Sequence, residues 1–320
     1  MRVLVAEPLS TDGLELLGTE HDVDNRPGLT RADFLQLLPE YDALIVRSGV
    51  KVDAEAIGAG TRLRVVGRAG VGVDNIDVPA ATAAGILVVN APTANTIAAA
   101  ELTVGMIYAL ARNIAAADAS LRRGEWRRAD FLGLELRGRT LGIIGLGKIG
   151  LAVAERARAM EMTLLGSDPF VTTDAAAERA IELVEVDELL ARADVVTLHV
   201  PLNDATRGLI DARALALMKP TALIVNVARG GVVDEQALAA ALHEGRLGGA
   251  AVDVYEHEPP TDSPLLSAPN TVLTPHLGAS TREAQSKAGL EVAEQVIDAL
   301  AGRDARYAVN SVAAAATARH

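Results

Sequence analysis

Six polar features close short apolar runs from residue 140 onward: the glycine turn Gly145–Gly150, then Asp168, His199, Arg229, Asp253 and His276. In open α/β sheets, ligands bind beyond the carboxyl ends of the strands, so these are the positions where chemistry is expected. The turn has the spacing G-x-G-x-x-G at Gly145, Gly147 and Gly150, after TLGII and before the helical pattern LAVAERARAM. Alone the spacing recurs by chance; between a strand and a helix it is a dinucleotide fingerprint. Gly145 permits the tight turn, Gly147 lets backbone approach a pyrophosphate, and Gly150 lets the helix pack closely. The N–H groups that open the helix would hold the phosphates. Asp168 ends the next strand, 18 residues after Gly150. A carboxylate there accepts hydrogen bonds from the adenosine ribose hydroxyls and repels the extra phosphate of NADP. Pro169, Phe170 and Val171 follow, with no arginine to receive that phosphate. The pattern predicts NAD.

The other groups are less specific one by one. Arg229, in NVARGGVVDE, could clamp a carboxylate with its planar fork, yet an arginine after a turn is an ordinary surface residue. His276 closes TVLTPH and reads equally as a structural histidine; Glu258, in YEHEPP, reads as a loop carboxylate. No spacing proves that the three meet. In the first half, RAGVGVDN (68–75) is a glycine-rich loop whose N–H groups near Val71 and Gly72 could receive a carboxylate. VRSG (46–49) puts Arg47 at another strand end. Both stretches also fit plain turns.

The elements that must position these groups follow a βα rhythm. Strand candidates are 2–6, 43–47, 63–68 and 85–90, then 140–144, 162–168, 181–184, 194–200, 221–227, 248–254 and 270–276, with helical patterns such as 30–39 and 78–84 between. The rhythm implies parallel sheets covered by helices. A helix at about 97–112 and a second at 280–302, N-capped by Ser280 or Thr281, bracket the later block. The segment from Ser120 to Gly138 reads as a connecting arm. Periodicity allows the later block to be an insertion into a discontinuous first domain; it also fits two consecutive domains.

The bulk numbers fit two packed domains: 320 residues, 50% hydrophobic, 22% charged, no Cys. Disulfides, thiolate metal sites and cysteine nucleophiles are excluded. A formal net charge of −12 argues against nucleic acid, while an anionic small molecule would need local arginines. The start, MRVLVAEP, reads as a strand and not a signal peptide. The uncharged run 78–100 holds two prolines and two asparagines and is not a membrane span. The expectation is a cytoplasmic protein with no metal and no membrane partner.

Taken together, RAGVGVDNID, NAPTANTIAAAELT, LGIIGLGKIG, NVARGGVVDE, AAVDVYEHEPP and PHLGAST resemble the D-isomer-specific 2-hydroxyacid dehydrogenases over about residues 43–290. PHLGAST leans towards the branch that oxidises 3-phospho-D-glycerate to 3-phosphooxypyruvate with NAD, the first step of serine synthesis. The resemblance implies an α/β fold of two doubly wound domains. A Rossmann-type cofactor domain at 97–279 is inserted into a discontinuous flavodoxin-like substrate domain at 1–96 and 280–320, with the active site in the cleft between them. It implies a catalytic set of Arg229, Glu258 and His276. His276 would take the hydroxyl proton while hydride leaves the same carbon for the nicotinamide, Glu258 would orient the imidazole and favour its charged form, and Arg229 would bind the substrate carboxylate. Cofactor contacts are implied for Gly145, Gly147, Lys148, Ile149, Gly150, Asp168, Val200, Ala228, Asp253, His276 and Gly278. Substrate contacts are implied for Arg47, Arg68, Val71, Gly72, Asn95 and Arg229, with Arg47 and Arg68 on the phosphate. Trp126 and Arg127, in an arm at 113–139, would reach across a homodimer. Lys148 stands where the family commonly has Arg. Larger members continue into regulatory domains, so serine feedback is not expected of a chain ending at His320. The same catalytic set serves hydroxypyruvate and glyoxylate reductases, and the family includes NAD-sensing transcriptional corepressors.

Overall fold

The structure, a computed structural model, describes residues 1–312. The Ala-rich end at 313–320, which the expected boundaries place in the substrate domain, lies outside the described residues. Two compact units divide the chain: Met1–Asn95 with Ala279–His320, and Thr96–Gly278.

In the first unit, strands β1 (Arg2–Val5), β2 (Asp22–Asn25), β3 (Ala43–Val46), β4 (Val65–Arg68) and β5 (Leu87–Asn90) form one parallel sheet in the order β2-β1-β3-β4-β5. Helices α1 (Thr11–Gly18), α2 (Arg31–Leu37), α3 (Ala54–Ala59) and α4 (Val78–Ala83) connect them. β3 is buried along its whole length, as a central parallel strand must be. Strand β2 has no apolar run to betray it. Its DVDN is half exposed, and it exists because β1 offers it a pairing edge. At the other edge the chain returns after the last helix of the protein: Val309 donates to the Val88 carbonyl, and the Asn310 side chain accepts from Val88.

The second unit opens with α5 (Thr96–Ala111) and α6 (Ile114–Arg122). Ser120–Arg122, expected at the start of the connecting arm, finish α6 instead, where ADASLR holds the i,i+4 pair Asp118–Arg122. Strands β6 (Thr140–Ile144), β7 (Thr163–Ser167), β8 (Ile181–Leu183), β9 (Val195–Leu198), β10 (Leu223–Asn226), β11 (Gly249–Val252) and β12 (Thr271–Leu273) form a parallel sheet ordered β12-β11-β10-β9-β6-β7-β8. Helices α7 (Lys148–Ala159), α8 (Thr173–Ala177), α9 (Val186–Arg192), α10 (Ala212–Leu217) and α11 (Glu235–His243) alternate with these strands. The strand order reverses between β6 and β9, the switch point where doubly wound sheets bind nucleotides. Helix α12 (Arg282–Leu300), capped by the Thr281 hydroxyl, belongs to the first unit and packs on α1 and β4.

Among the described residues no single helix is long and apolar enough to cross a membrane. The bent pair α5–α6 passes only when joined, and α5 buries Met106, Ile107 and Leu110 in the core of its unit. No group of three or more His, Asp or Glu among the described residues could hold a metal ion.

Candidate active site

The glycine turn follows β6 at the switch point. Gly145 has φ +93°, and an ideal Cβ there would lie 2.6 Å from the His199 carbonyl oxygen. A Cβ on Gly150 would meet the Gly145 carbonyl oxygen at 2.0 Å, so the helix can approach the turn only as glycine. Gly147 is different: nothing lies within 4 Å of the place its Cβ would take. The space above that backbone is open, as close approach of a pyrophosphate requires. Gly147 caps α7 with no side-chain hydrogen bond, whereas Ser, Thr or Asp side chains close α1, α2, α3, α4, α8, α10, α11 and α12. The first-turn N–H groups of α7, at Lys148 and Ile149, thus have no side-chain cap, as is also the case in α6 and α9, and the positive end of the helix dipole lies behind them.

Asp168 follows β7. One carboxylate oxygen accepts from the Leu146 N–H at 2.8 Å and the other from the Phe170 N–H at 2.8 Å. It thus braces the glycine turn, and each oxygen keeps a second lone pair for a hydroxyl. These residues fit a dinucleotide, which when bound supplies a hydride acceptor. Val200 and Ala228 lie beyond β9 and β10, half-buried and buried. His199 follows β9, and its N–H donates to the Ile144 carbonyl at 2.8 Å. Its Nε2 meets the Thr197 hydroxyl at 3.0 Å, its Nδ1 is buried without a partner, and burial pushes its pKa down to about 3. It is a neutral imidazole at physiological pH.

Beyond β10, β11 and β12 the loops bring Arg229, Glu258 and His276 together. The His276 Nδ1 is 2.8 Å from Glu258 Oε2. The other Glu258 oxygen accepts from the Tyr255 N–H at 3.1 Å. Burial opposes ionisation of Glu258, but the imidazole, the Tyr255 N–H and the Arg229 charge outweigh it and hold the carboxyl below its ordinary range. The Nδ1 contact leaves Nε2 as the ring atom free to exchange a proton. Arg229 is oriented through its backbone: buried Asn226 donates to the Arg229 carbonyl at 3.0 Å and accepts from the Ala228 N–H at 3.0 Å. Gly230 then presses on the β11 loop, where a Cβ would stand 1.8 Å from the Tyr255 carbonyl oxygen. This contact sets the Arg229 segment against the segment that carries Glu258.

His276 adopts φ +55°, a left-handed conformation uncommon for a side-chain-bearing residue. Asp253 holds it there. Asp253 is fully buried; its carboxylate accepts from the Thr274 hydroxyl (2.6 Å), the Leu277 N–H (2.7 Å) and the Gly278 N–H (2.9 Å), and its carbonyl accepts from the His276 N–H (2.9 Å). The expectation that Asp253 flanks the nicotinamide meets a side chain with no exposed surface, because these bonds turn it inward on the His276 loop. Neither this role nor that of Gly230 was legible in the sequence. The strand-end position of Asp253 was the only signal.

In the first unit the expected substrate residues share the carboxyl edge of the sheet. Arg47 follows β3, Arg68 ends β4, Val71 and Gly72 follow it, and Asn95 comes after β5. The Glu7 carboxylate accepts from the N–H groups of Arg47 (2.6 Å), Gly49 (2.9 Å) and Val50 (3.0 Å) and so shapes the Arg47 loop. The Val71 carbonyl accepts from Asn90 at 2.6 Å, while the Val71 and Gly72 N–H groups make no hydrogen bond among the described residues. The Asn95 amide oxygen is buried without a partner. The arm carries Trp126, 78% exposed, and Arg127, which pairs with Asp130.

The NAD binding domain of the D-isomer specific 2-hydroxyacid dehydrogenases, as a family model, matches residues 104–278. The chain is 51% identical to the D-3-phosphoglycerate dehydrogenase of Methanocaldococcus jannaschii over 97% of its own length and spans 59% of that relative. Among solved structures it is similar to the TT0316 protein of Thermus thermophilus, with TM-score 0.89, 36% identity, and coverage of 97% of this chain and 100% of that one. It is also similar to a glyoxylate reductase from Paecilomyes thermophila, with TM-score 0.87, 33% identity, and coverage of 97% and 98%. The chain belongs to the D-isomer specific 2-hydroxyacid dehydrogenases, and its second unit carries the NAD-binding domain of that family.

Proposed function

We propose that the chain oxidises 3-phospho-D-glycerate to 3-phosphooxypyruvate with NAD. The observation that carries the reading is the His276–Glu258 pair at 2.8 Å, which leaves Nε2 free beside the loop of Arg229. His276 Nε2 takes the hydroxyl proton, Glu258 supports the imidazolium that forms, and Arg229 binds the substrate carboxylate and polarises the carbonyl in reverse. Gly145, Gly147, Lys148, Ile149, Gly150 and Asp168 are assigned to the cofactor phosphates and ribose, and Val200, Ala228 and Gly278 to the nicotinamide side. Asp253 is assigned as a positioning residue for His276. Val71, Gly72 and Asn95 are assigned to substrate, with Arg47 and Arg68 on its phosphate. The free N–H pair at Val71 and Gly72 supports this, as do relatives named D-3-phosphoglycerate dehydrogenase. We further assign a homodimer through the cofactor domain and the 113–139 arm, supported by the exposure of Trp126 and Leu132 at 78% and 91%, and a place in the cytoplasm with the NAD pool.

Steady-state kinetics over D-2-hydroxy acids, with NAD and NADP compared, test the reading. The highest kcat/KM is expected for 3-phospho-D-glycerate with NAD. Comparable or better values for D-lactate or glycerate would overturn the phosphorylated substrate. The likeness to a glyoxylate reductase favours reduction of glyoxylate or hydroxypyruvate as a second reading. Substituting Arg47 and Arg68 separates the two. A phosphate clamp loses about 1.5–3 kcal/mol per charged hydrogen bond removed, whereas an unphosphorylated substrate is indifferent.

A further inference from the structure

Glu258 lies on an exposed loop, and a general acid–base pair needs its carboxylate fixed. The loop leaves β11 at Val252 and reaches the short turn Pro264–Leu266. One residue outside it grips both of its ends. Glu235, the first residue of α11, accepts from the Glu256 N–H at 2.7 Å through Oε1. Its Oε2 accepts from the Ser263 hydroxyl. Glu256 precedes Glu258 by two residues and Ser263 follows it by five. A single carboxylate therefore closes the loop across Glu258. Glu235 also shares a seven-residue segment with Arg229, and Gly230 of that segment already presses on Tyr255. The segment 229–235 thus fixes the start of the Glu258 loop at two points and its end at a third.

We propose that Glu235 is a positioning residue for the Glu258–His276 pair, acting as a clasp through its two hydrogen bonds and not through its charge. The inference rests on the reading that this pair moves the substrate proton. Glu235 touches neither substrate nor cofactor. It limits the positions that the Glu258 carboxylate can take and so keeps the imidazole aimed. Because both donors on the loop are neutral, a glutamine can serve: its amide oxygen accepts from the Glu256 N–H and its amide NH2 donates to the Ser263 oxygen.

The test compares Glu235→Ala, Glu235→Gln and Ser263→Ala in the full chain. Glu235→Ala is expected to lower kcat by roughly 10- to 100-fold, the cost of displacing a reacting group by up to about 1 Å. KM for the hydroxy acid and the dissociation constant of NADH, read by fluorescence, are expected to stay within about 2-fold of the parent, since neither ligand meets Glu235. Glu235→Gln restores kcat to within about 3-fold, and Ser263→Ala, which removes one contact, gives an intermediate loss. Amide hydrogen exchange of Glu256, His257, Glu258, Thr261 and Asp262 quickens in the alanine variant and not in the glutamine variant. A Glu235→Ala enzyme with parental kcat, whatever its melting temperature, overturns the clasp, as does a glutamine variant as impaired as the alanine one. If the parent oxidises no D-2-hydroxy acid, the proton-transfer reading fails by itself. The exchange measurement then still decides whether Glu235 holds the loop.

Discussion

Gly230→Ala is the substitution whose effect is most tightly dictated by the geometry. An ideal Cβ at Gly230 would lie 1.8 Å from the Tyr255 carbonyl oxygen, 2.1 Å from its carbon and 2.7 Å from the Glu256 nitrogen. All three are backbone atoms, so no rotamer change relieves the clash. Cβ contacts below 3.0 Å are essentially never seen, so the two segments must part by at least 3.0 minus 1.8, or 1.2 Å. One segment carries Arg229 and the other carries Glu258. A misplacement of about 1 Å at a reacting centre costs about 100-fold in rate, or about 2.7 kcal/mol of transition-state stabilisation. The expected result is a loss of this size in kcat/KM for the hydroxy acid, with NADH affinity retained because Gly147 and Asp168 are untouched. The overpacking is expected to cost about 1–3 kcal/mol of stability as well. Steady-state kinetics at a temperature well below the melting transition, with NADH fluorescence titration as control, separate the two effects. A folded Gly230→Ala protein within about 3-fold of the parental kcat/KM would refute the argument that this contact sets the site.

Gly147→Ala is the opposite case. Nothing within 4 Å opposes the new Cβ, so melting should be nearly unchanged while NADH affinity falls because the methyl group occupies the approach to the phosphates; unaltered affinity would move the phosphates elsewhere. Asp168→Ala should weaken NAD and relax discrimination against NADP, and also loosen the turn braced through Leu146; an unchanged NAD/NADP ratio in kcat/KM would remove Asp168 from the ribose. The neutral His199, whose Nδ1 is buried without a partner, makes stability fall in acid. Its pKa drops from 6.5 to about 3 on folding, so below pH 6.5 the unfolded chain binds a proton that the folded chain refuses until about pH 3. Between pH 7.5 and pH 5 this amounts to about 2 kcal/mol, read by denaturant unfolding as a smaller pH dependence in His199→Gln than in the parent; equal dependence would exclude His199 as the cause.

The parts of the fold legible in advance were those written in local pattern. Central strands such as β3, a continuous apolar run, and β9, apolar but for Thr197, are buried along their whole length, and such runs announce themselves. β2 did not, because an edge strand of DVDN owes its existence to β1 and not to its own residues. The end of α6 was likewise hidden in a charged stretch whose helical pair, Asp118 with Arg122, is visible only once the helix is drawn. The glycine turn was readable because its spacing is local: Gly145 takes φ +93° to make the turn, and Gly150, five residues on, packs against the Gly145 carbonyl.

Chemical types and the βα rhythm are properties of the sequence alone. They established an α/β protein, the residues that can carry charge or a proton, and the absence of any thiol. Which of those residues meet is a property of the sheet. Arg229 and His276 are 47 positions apart, and they come together because β10, β11 and β12 are neighbours in one parallel sheet, so that the loops after them leave the same edge. The left-handed backbone of His276, the inward turn of Asp253 and the grip of Gly230 on Tyr255 depend on that same alignment. Each is settled by packing between segments distant in the chain, where no local spacing carries the information.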